Sequence, residues 1–198
     1  MALSRIASRV SLAALVLLGC AGPSLAEPAI GQPAPAFRLT DLDGAELALS
    51  DLAGKTVVVE FVNPNCPFSR RHSQAKTVQT LSERYSDVVF VGINSTNPKH
   101  GDYMPPAAQK AFHAGNGTTF RILEDPSGET GRAYGAKSTP HLFVIDAQGK
   151  LAYAGAIDDD PRGRGESVNY VDSALRALAA GERPDPASTR PYGCSMKY

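Results

Sequence analysis

The run Thr56-Val57-Val58-Val59-Glu60-Phe61-Val62 stops at Asn63-Pro64-Asn65 and is followed at once by Cys66-Pro67. Side chains branched at Cβ favour an extended backbone, and a run of them without polar alternation fits a strand covered on both faces. A strand of that kind needs layers above and below it, which points to an α/β sandwich. From Pro67 to about Tyr85, the residues Phe68, Ala75, Val78, Leu81 and Tyr85 recur at three- and four-residue spacing, so a helix is predicted directly after the strand, with Pro67 at its first position. Cys66 therefore falls at a helix N-terminus, where unpaired backbone N–H groups and the helix dipole favour a thiolate.

The flanking segments extend this pattern. Phe37 to Thr40 and Glu46 to Leu49 alternate around Asp43-Gly44 and read as an N-terminal hairpin. Val88 to Asn94 reads as a second buried strand, Pro106 to Ala114 as a helix closed by Gly115, and Phe120 to Leu123 as a short extended segment. A helical turn is expected near Glu129 to Tyr134. His141 to Ile145 and Leu151 to Ala156 form a second hairpin around Asp146-Ala147-Gln148-Gly149, and Val168 to Ala180 a closing helix ended by Gly181. The expected fold is a three-layer α/β sandwich with a central mixed β-sheet, an N-terminal hairpin and an irregular C-terminal tail.

The 198 residues, 42% of them hydrophobic, suffice for one well-buried core, and the divisions read are a leader at 1–26, one domain at 27–180 and a tail at 181–198 carrying Cys194. Twenty basic residues balance twenty acidic ones, so no global charge draws the chain to nucleic acid. In the leader, Arg5 and Arg9 precede the apolar run Val10 to Leu18, and Ser24-Leu25-Ala26 offers a small-residue cleavage site, the pattern of an export signal too short to span a membrane. Leu17-Leu18-Gly19-Cys20 also resembles a lipoprotein cleavage box, which would anchor the chain to a membrane through Cys20. Both routes place the domain outside the cytoplasm, in the periplasm or beyond. Both leave Cys66 and Cys194 as its thiols, where disulfides persist.

Val57 to Ser69 resembles the strand and active-site segment of thioredoxins, with Ser69 in place of the second cysteine of C-x-x-C. Lys137 to Phe143 looks like the thioredoxin loop that carries a cis-proline opposite the active-site cysteine. With Ala147-Gln148-Gly149 and Gly193 to Tyr198, the chain is similar to the peroxiredoxin-like branch of the redoxin family, the alkyl hydroperoxide reductase/thiol-specific antioxidant proteins of the thioredoxin superfamily. The resemblance implies a thioredoxin-like fold and an exported thiol-disulfide oxidoreductase or weak antioxidant peroxidase. It also implies a cis Thr139-Pro140 bond lying against the Cys66 sulfur. Peroxiredoxins carry their peroxidatic cysteine where Ser69 stands, with threonine and proline where Cys66 and Val62 stand, so this chain departs from the peroxidase set.

Cys66 is the candidate nucleophile, with Pro67 and Ser69 supporting it from the helix and Thr139, Pro140 and His141 from the facing loop. Glu60 aligns with the buried acid that relays protons in thioredoxins. Cys194 is the candidate partner of Cys66, as a resting disulfide or a resolving thiol, with Tyr192 and Tyr198 offering apolar surface to seat the tail; a free tail thiol and an intermolecular disulfide stay open beside it. His72 is phased with Phe68 and Ala75 and reads as a packed residue. The partners expected are protein or small-molecule disulfides and thiols, with peroxides, and a redox partner protein. No cofactor and no metal site is assigned. Two other classes remain: a copper-binding protein resembling the Sco-type chaperones, using Cys66, Cys194, His141 and Met196, and a non-catalytic module displaying the insert Thr96 to Pro106.

Overall fold

A computed structural model describes residues 28–165 and 168–198, so both readings of the leader lie outside the described residues. Its centre is a seven-stranded mixed sheet in the order β2-β1-β5-β4-β3-β7-β8. The strands are β1 (Arg38–Asp41), β2 (Glu46–Ala48), β3 (Val57–Phe61), β4 (Val89–Asn94), β5 (Arg121–Glu124), β7 (His141–Ile145) and β8 (Leu151–Gly155). β3, β4 and β5 run parallel, while β7 pairs antiparallel with β3 along Val57↔Ile145 to Phe61↔His141. Parallel neighbours require a crossover, and the helices after β3 and β4 supply it.

Every residue of β3 is buried, as the unbroken β-branched run predicts. Alternation along the strand sends Val57, Val59 and Phe61 into one core with Ile93, Leu123, Tyr134, Phe143 and Leu151. Val58 enters the other core with Val78, Leu81, Leu142, Val144, Tyr153, Val171 and Leu175. Strand alternation puts Glu60 on the face of Val58.

The helices are α1 (Pro67–Gln74), α2 (Thr77–Arg84), α3 (Pro106–Gly115), α4 (Glu129–Ala133) and α5 (Tyr170–Ala179). The single helix predicted from Pro67 to about Tyr85 is thus two. Lys76 takes a left-handed conformation (φ 55°) between them and resets the buried face: α1 buries Ser69, His72 and Ser73, α2 buries Val78, Gln79 and Leu81, and Ala75, expected inside, is exposed.

The tail also differs from the irregular segment expected. Cys194–Ser195 forms β9, antiparallel to β6 (Ser138–Thr139), with Thr139 opposite Cys194. Further along, Met196 N–H donates to the Lys137 carbonyl (3.3 Å) and Asn97 N–H to the Lys197 carbonyl (2.7 Å). A pairing two residues long carries no hydrophobic periodicity, so pattern reading passes over it.

Candidate active site

Cys66 caps α1 with extended backbone (φ −77°, ψ 124°), and Pro67 takes the first helical position without forfeiting a useful N–H. Asn63 stiffens the approach: its side-chain oxygen accepts from Asn65 N–H (2.8 Å) and its amide donates to Thr96 Oγ1 (3.0 Å). The Cys66 side chain is 3% exposed. Across from it the Thr139–Pro140 bond is cis, as the resemblance implies, and the thiol donates to the Thr139 carbonyl oxygen at 2.9 Å.

Because β9 lies against β6, the Cys194 thiol meets the Cys66 sulfur, and both lie over the first turn of α1. Burial pushes the Cys66 thiol up. Hydrogen bonds from the Cys194 thiol, the Ser69 amide, the Thr139 hydroxyl and the Cys194 amide outweigh it and hold Cys66 below the ordinary thiol range. The opposite holds for Cys194, pushed up to about 11 by burial and by its bond to Cys66, against only the Phe68 amide and Lys197. The first proton lost from the pair leaves Cys66, and Cys194 stays a donor to it.

Gly193 makes this approach possible. At φ +144° it runs so close to the loop that a Cβ there would lie 2.1 Å from the Thr139 carbonyl oxygen. Ser69 is fully buried, but its backbone amide faces the sulfur while its hydroxyl accepts from Asn63 N–H (3.5 Å). Glu60 is buried, and desolvation raises its carboxyl to about 8, so it is protonated at neutral pH. His141 is 5% exposed and held neutral, pushed down to about 4 by burial and Lys137. Its Nδ1 accepts from Lys137 N–H (3.2 Å) and its ring lies tilted against Phe143 with centroids 4.4 Å apart, so it braces the loop from within. Met196 packs against the core below. Among the described residues no three His, Cys, Asp or Glu side chains converge as a ligand set.

Sequence reading named Tyr192 and Tyr198 as apolar anchors of the tail but missed the polar partners that hold them. His72 is packed, as its phase predicts, but its Nε2 lies 2.9 Å from the Tyr192 hydroxyl, which also donates to Asp158. The sign available beforehand was a tyrosine two residues from Cys194.

The sequence profile of the Redoxin family matches residues 29–175. The chain belongs to the Redoxin family. Its sheet order, helix placement and cis-proline loop are those of a thioredoxin-like fold. A Mycobacterium tuberculosis protein provisionally named a peroxiredoxin is 28% identical over 130 residues, 66% of this chain and 78% of the relative. The thiol-disulfide oxidoreductase ResA of Geobacillus thermodenitrificans is 31% identical over 124 residues, 62% of this chain and 67% of ResA. The crystal structure of a hypothetical protein from Sinorhizobium meliloti superposes with a TM-score of 0.78 at 26% identity, covering 87% of this chain and 96% of the other.

Proposed function

We propose that this redoxin is an exported thiol-disulfide oxidoreductase in which Cys66 is the nucleophile and Cys194 the resolving thiol. The observation that carries the reading is the meeting of the two sulfurs over the N-terminus of α1, with the charge favoured on Cys66. The Cys66 thiolate attacks one sulfur of a partner disulfide, forming a mixed disulfide and releasing one partner thiolate. Cys194, deprotonated as that negative charge leaves the pair, then attacks the Cys66 sulfur. The Cys66–Cys194 disulfide forms and the second partner thiolate departs, so two electrons pass to the partner. An external dithiol returns the enzyme to its reduced state by the reverse exchange.

Disulfide exchange is favoured over peroxide reduction because Ser69 stands where the peroxidatic cysteine would be, its hydroxyl engaged by Asn63. The ResA likeness supports the same reaction class. The basic start, apolar run and small-residue site of residues 1–26 support export. Cys194 opposite Thr139 supports the intramolecular pair over a free tail thiol or a bond between chains.

Adding oxidised glutathione to the reduced protein and mapping quenched samples by mass tests the reading. A transient glutathione adduct on Cys66, giving way to a Cys66–Cys194 disulfide, is expected. An adduct that accumulates on Cys194 with Cys66 untouched overturns the roles.

A further inference from the structure

The polar network on the flank of α1 takes no part in the exchange just described, yet its side chains are closely bonded to one another beside the site. At its centre is the Tyr192 hydroxyl. It donates to the Asp158 carboxylate, and it faces His72 Nε2 at 2.9 Å and Arg71 Nη2 at 3.4 Å. A phenol has one proton to give, here to Asp158, and lone pairs that can accept from Arg71, whose Nη2 also lies 3.3 Å from His72 Nε2. The other ring nitrogen of His72 lies 3.2 Å from the Thr77 hydroxyl and 4.0 Å from the Asp158 carboxylate.

The partners are themselves fixed. Arg71 donates to the carbonyls of Pro161 (3.0 Å) and Asp160 (2.9 Å), and Asp158, 7% exposed, bridges to Asn169 ahead of α5. The Tyr192 ring meets Phe68 edge-on with centroids 6.0 Å apart. Phe68, Arg71 and His72 are spaced three and four residues apart and share one face of α1, the helix whose first turn lies under both sulfurs. Tyr192 and Cys194 flank the bend at Gly193 and both reach the first turns of α1, the one through its ring on Phe68 and the other through the Phe68 amide. One helix thus grips the tail at residue 192 and presents the reaction centre to residue 194.

Cys194 has little else to hold it from that side. β9 is two residues long, and Gly193 sits between the anchor and the thiol. Upstream, the Thr189 hydroxyl is tied to Tyr153 (2.6 Å) and Ala156 N–H (2.9 Å).

We infer that Tyr192, seated among His72, Asp158 and Arg71, is the positioning residue that holds Cys194 on Cys66 for the resolving step. This rests on the exchange proposed above and adds a division of labour to it. Tyr192 acts mainly on the second step: the first does not use Cys194 as a nucleophile and feels its withdrawal only as a smaller thiolate fraction on Cys66. A substitution that merely disturbed the fold around α1 would slow both.

The test is single turnover of the reduced full chain with oxidised glutathione, following formation and decay of the Cys66 adduct in wild type and Tyr192→Phe. Removing one hydrogen bond to a buried charge is expected to lengthen the adduct's life about ten- to a hundredfold, with formation no slower than wild type at a pH where Cys66 is ionised in both proteins. Asp158→Asn, which keeps shape and removes the charge, should act in the same direction, and the double variant should be no worse than the more severe single. Exchange of the Met196 amide should accelerate alongside. Equal slowing of both steps, or an unchanged adduct lifetime in both single variants, overturns the inference. A wild-type adduct that never passes to Cys194 would instead strike at the proposed exchange.

Discussion

The helix terminus that carries Cys66 and the tail strand that carries Cys194 meet at one place but are held there by different means. Cys66 is set by the frame of the domain: a fully buried strand, a loop cross-braced by Asn63, and the first turn of α1. Cys194 is set by attachments, a two-residue ladder, a glycine without a side chain to clash, and tyrosines anchored on either side. Both thiols are desolvated, and burial alone would raise both. They diverge because four donors converge on Cys66, two of them from Cys194 itself. Glu60, buried on the same strand that leads to Cys66, shows what burial does unopposed: its carboxyl rises to about 8. The sign of a shift at this site is set by where donors point rather than by depth.

The widest separation between the two thiols is expected in turnover. Cys66→Ser should reduce disulfide exchange by roughly a thousandfold or more, since it removes the proposed nucleophile. Cys194→Ser should still form one equivalent of Cys66 mixed disulfide and then stall. Stoichiometry of thiol release in the first and later cycles reads the difference, and sustained turnover by Cys66→Ser would erase the asymmetry.

Next in size is the effect of Glu60. Its folded value of about 8 lies above the 4.5 of a free carboxyl, so the native state binds the proton more tightly than the unfolded chain. The stability it contributes is fully present below pH 4.5, falls as pH rises through that interval, and is lost above about 8. Glu60→Gln should remove that fall, leaving the variant more stable than wild type at alkaline pH by roughly 5 kcal/mol. Urea unfolding at acid, neutral and alkaline pH checks it, and parallel curves for the two proteins would mean that burial does not act unopposed at this acid.

A side chain at position 193 tests whether the tail is truly an attachment. Gly193→Ala drives a methyl into the Thr139 carbonyl, a conflict worth about 1 to 3 kcal/mol. Met196 amide exchange should speed up while exchange in β3 and β4 stays as in wild type. The Cys66 alkylation profile should move to higher pH as the Cys194 donor withdraws. Slowed alkylation with no change in amide exchange would place the effect elsewhere.

The smallest change expected is at the far anchor. The Tyr198 hydroxyl donates to the Ala136 carbonyl (2.9 Å), and the Arg132 guanidinium lies 4.4 Å from the ring centroid. Tyr198→Phe keeps the ring contact and should cost about 1 kcal/mol of tail docking, visible as modestly faster Met196 exchange. A loss as large as that of Gly193→Ala would make this anchor the dominant one.

The two regions were unequally legible in the sequence. The frame around Cys66 could be read because its determinants are local: a β-branched run, a proline that starts a helix, and glycine or asparagine turns within a few residues of one another. The break at Lys76 was hidden because the residues either side are all compatible with helix, and only the cost of burying Ala75 or exposing Val78 in one continuous phase distinguishes the outcomes. The β6–β9 pairing and the Tyr192 network join residues remote in sequence and short in pattern, so composition and periodicity carry no trace of them. The tyrosines were visible as apolar anchors. That they hold on through their hydroxyls depends on Asp158, His72 and Ala136 arriving opposite them, which only the folded chain decides.

The placement of the second sulfur also sets a clock. Where a dithiol is drawn from a single helical turn, the pair exists as soon as that turn forms. Here Cys194 follows every strand of the central sheet in the order of synthesis, and it reaches Cys66 only when β6 is ready to receive it. Cys66 therefore emerges well before its proposed partner, and a pairing of the two through β6 waits on the strands that precede Cys194 in the chain.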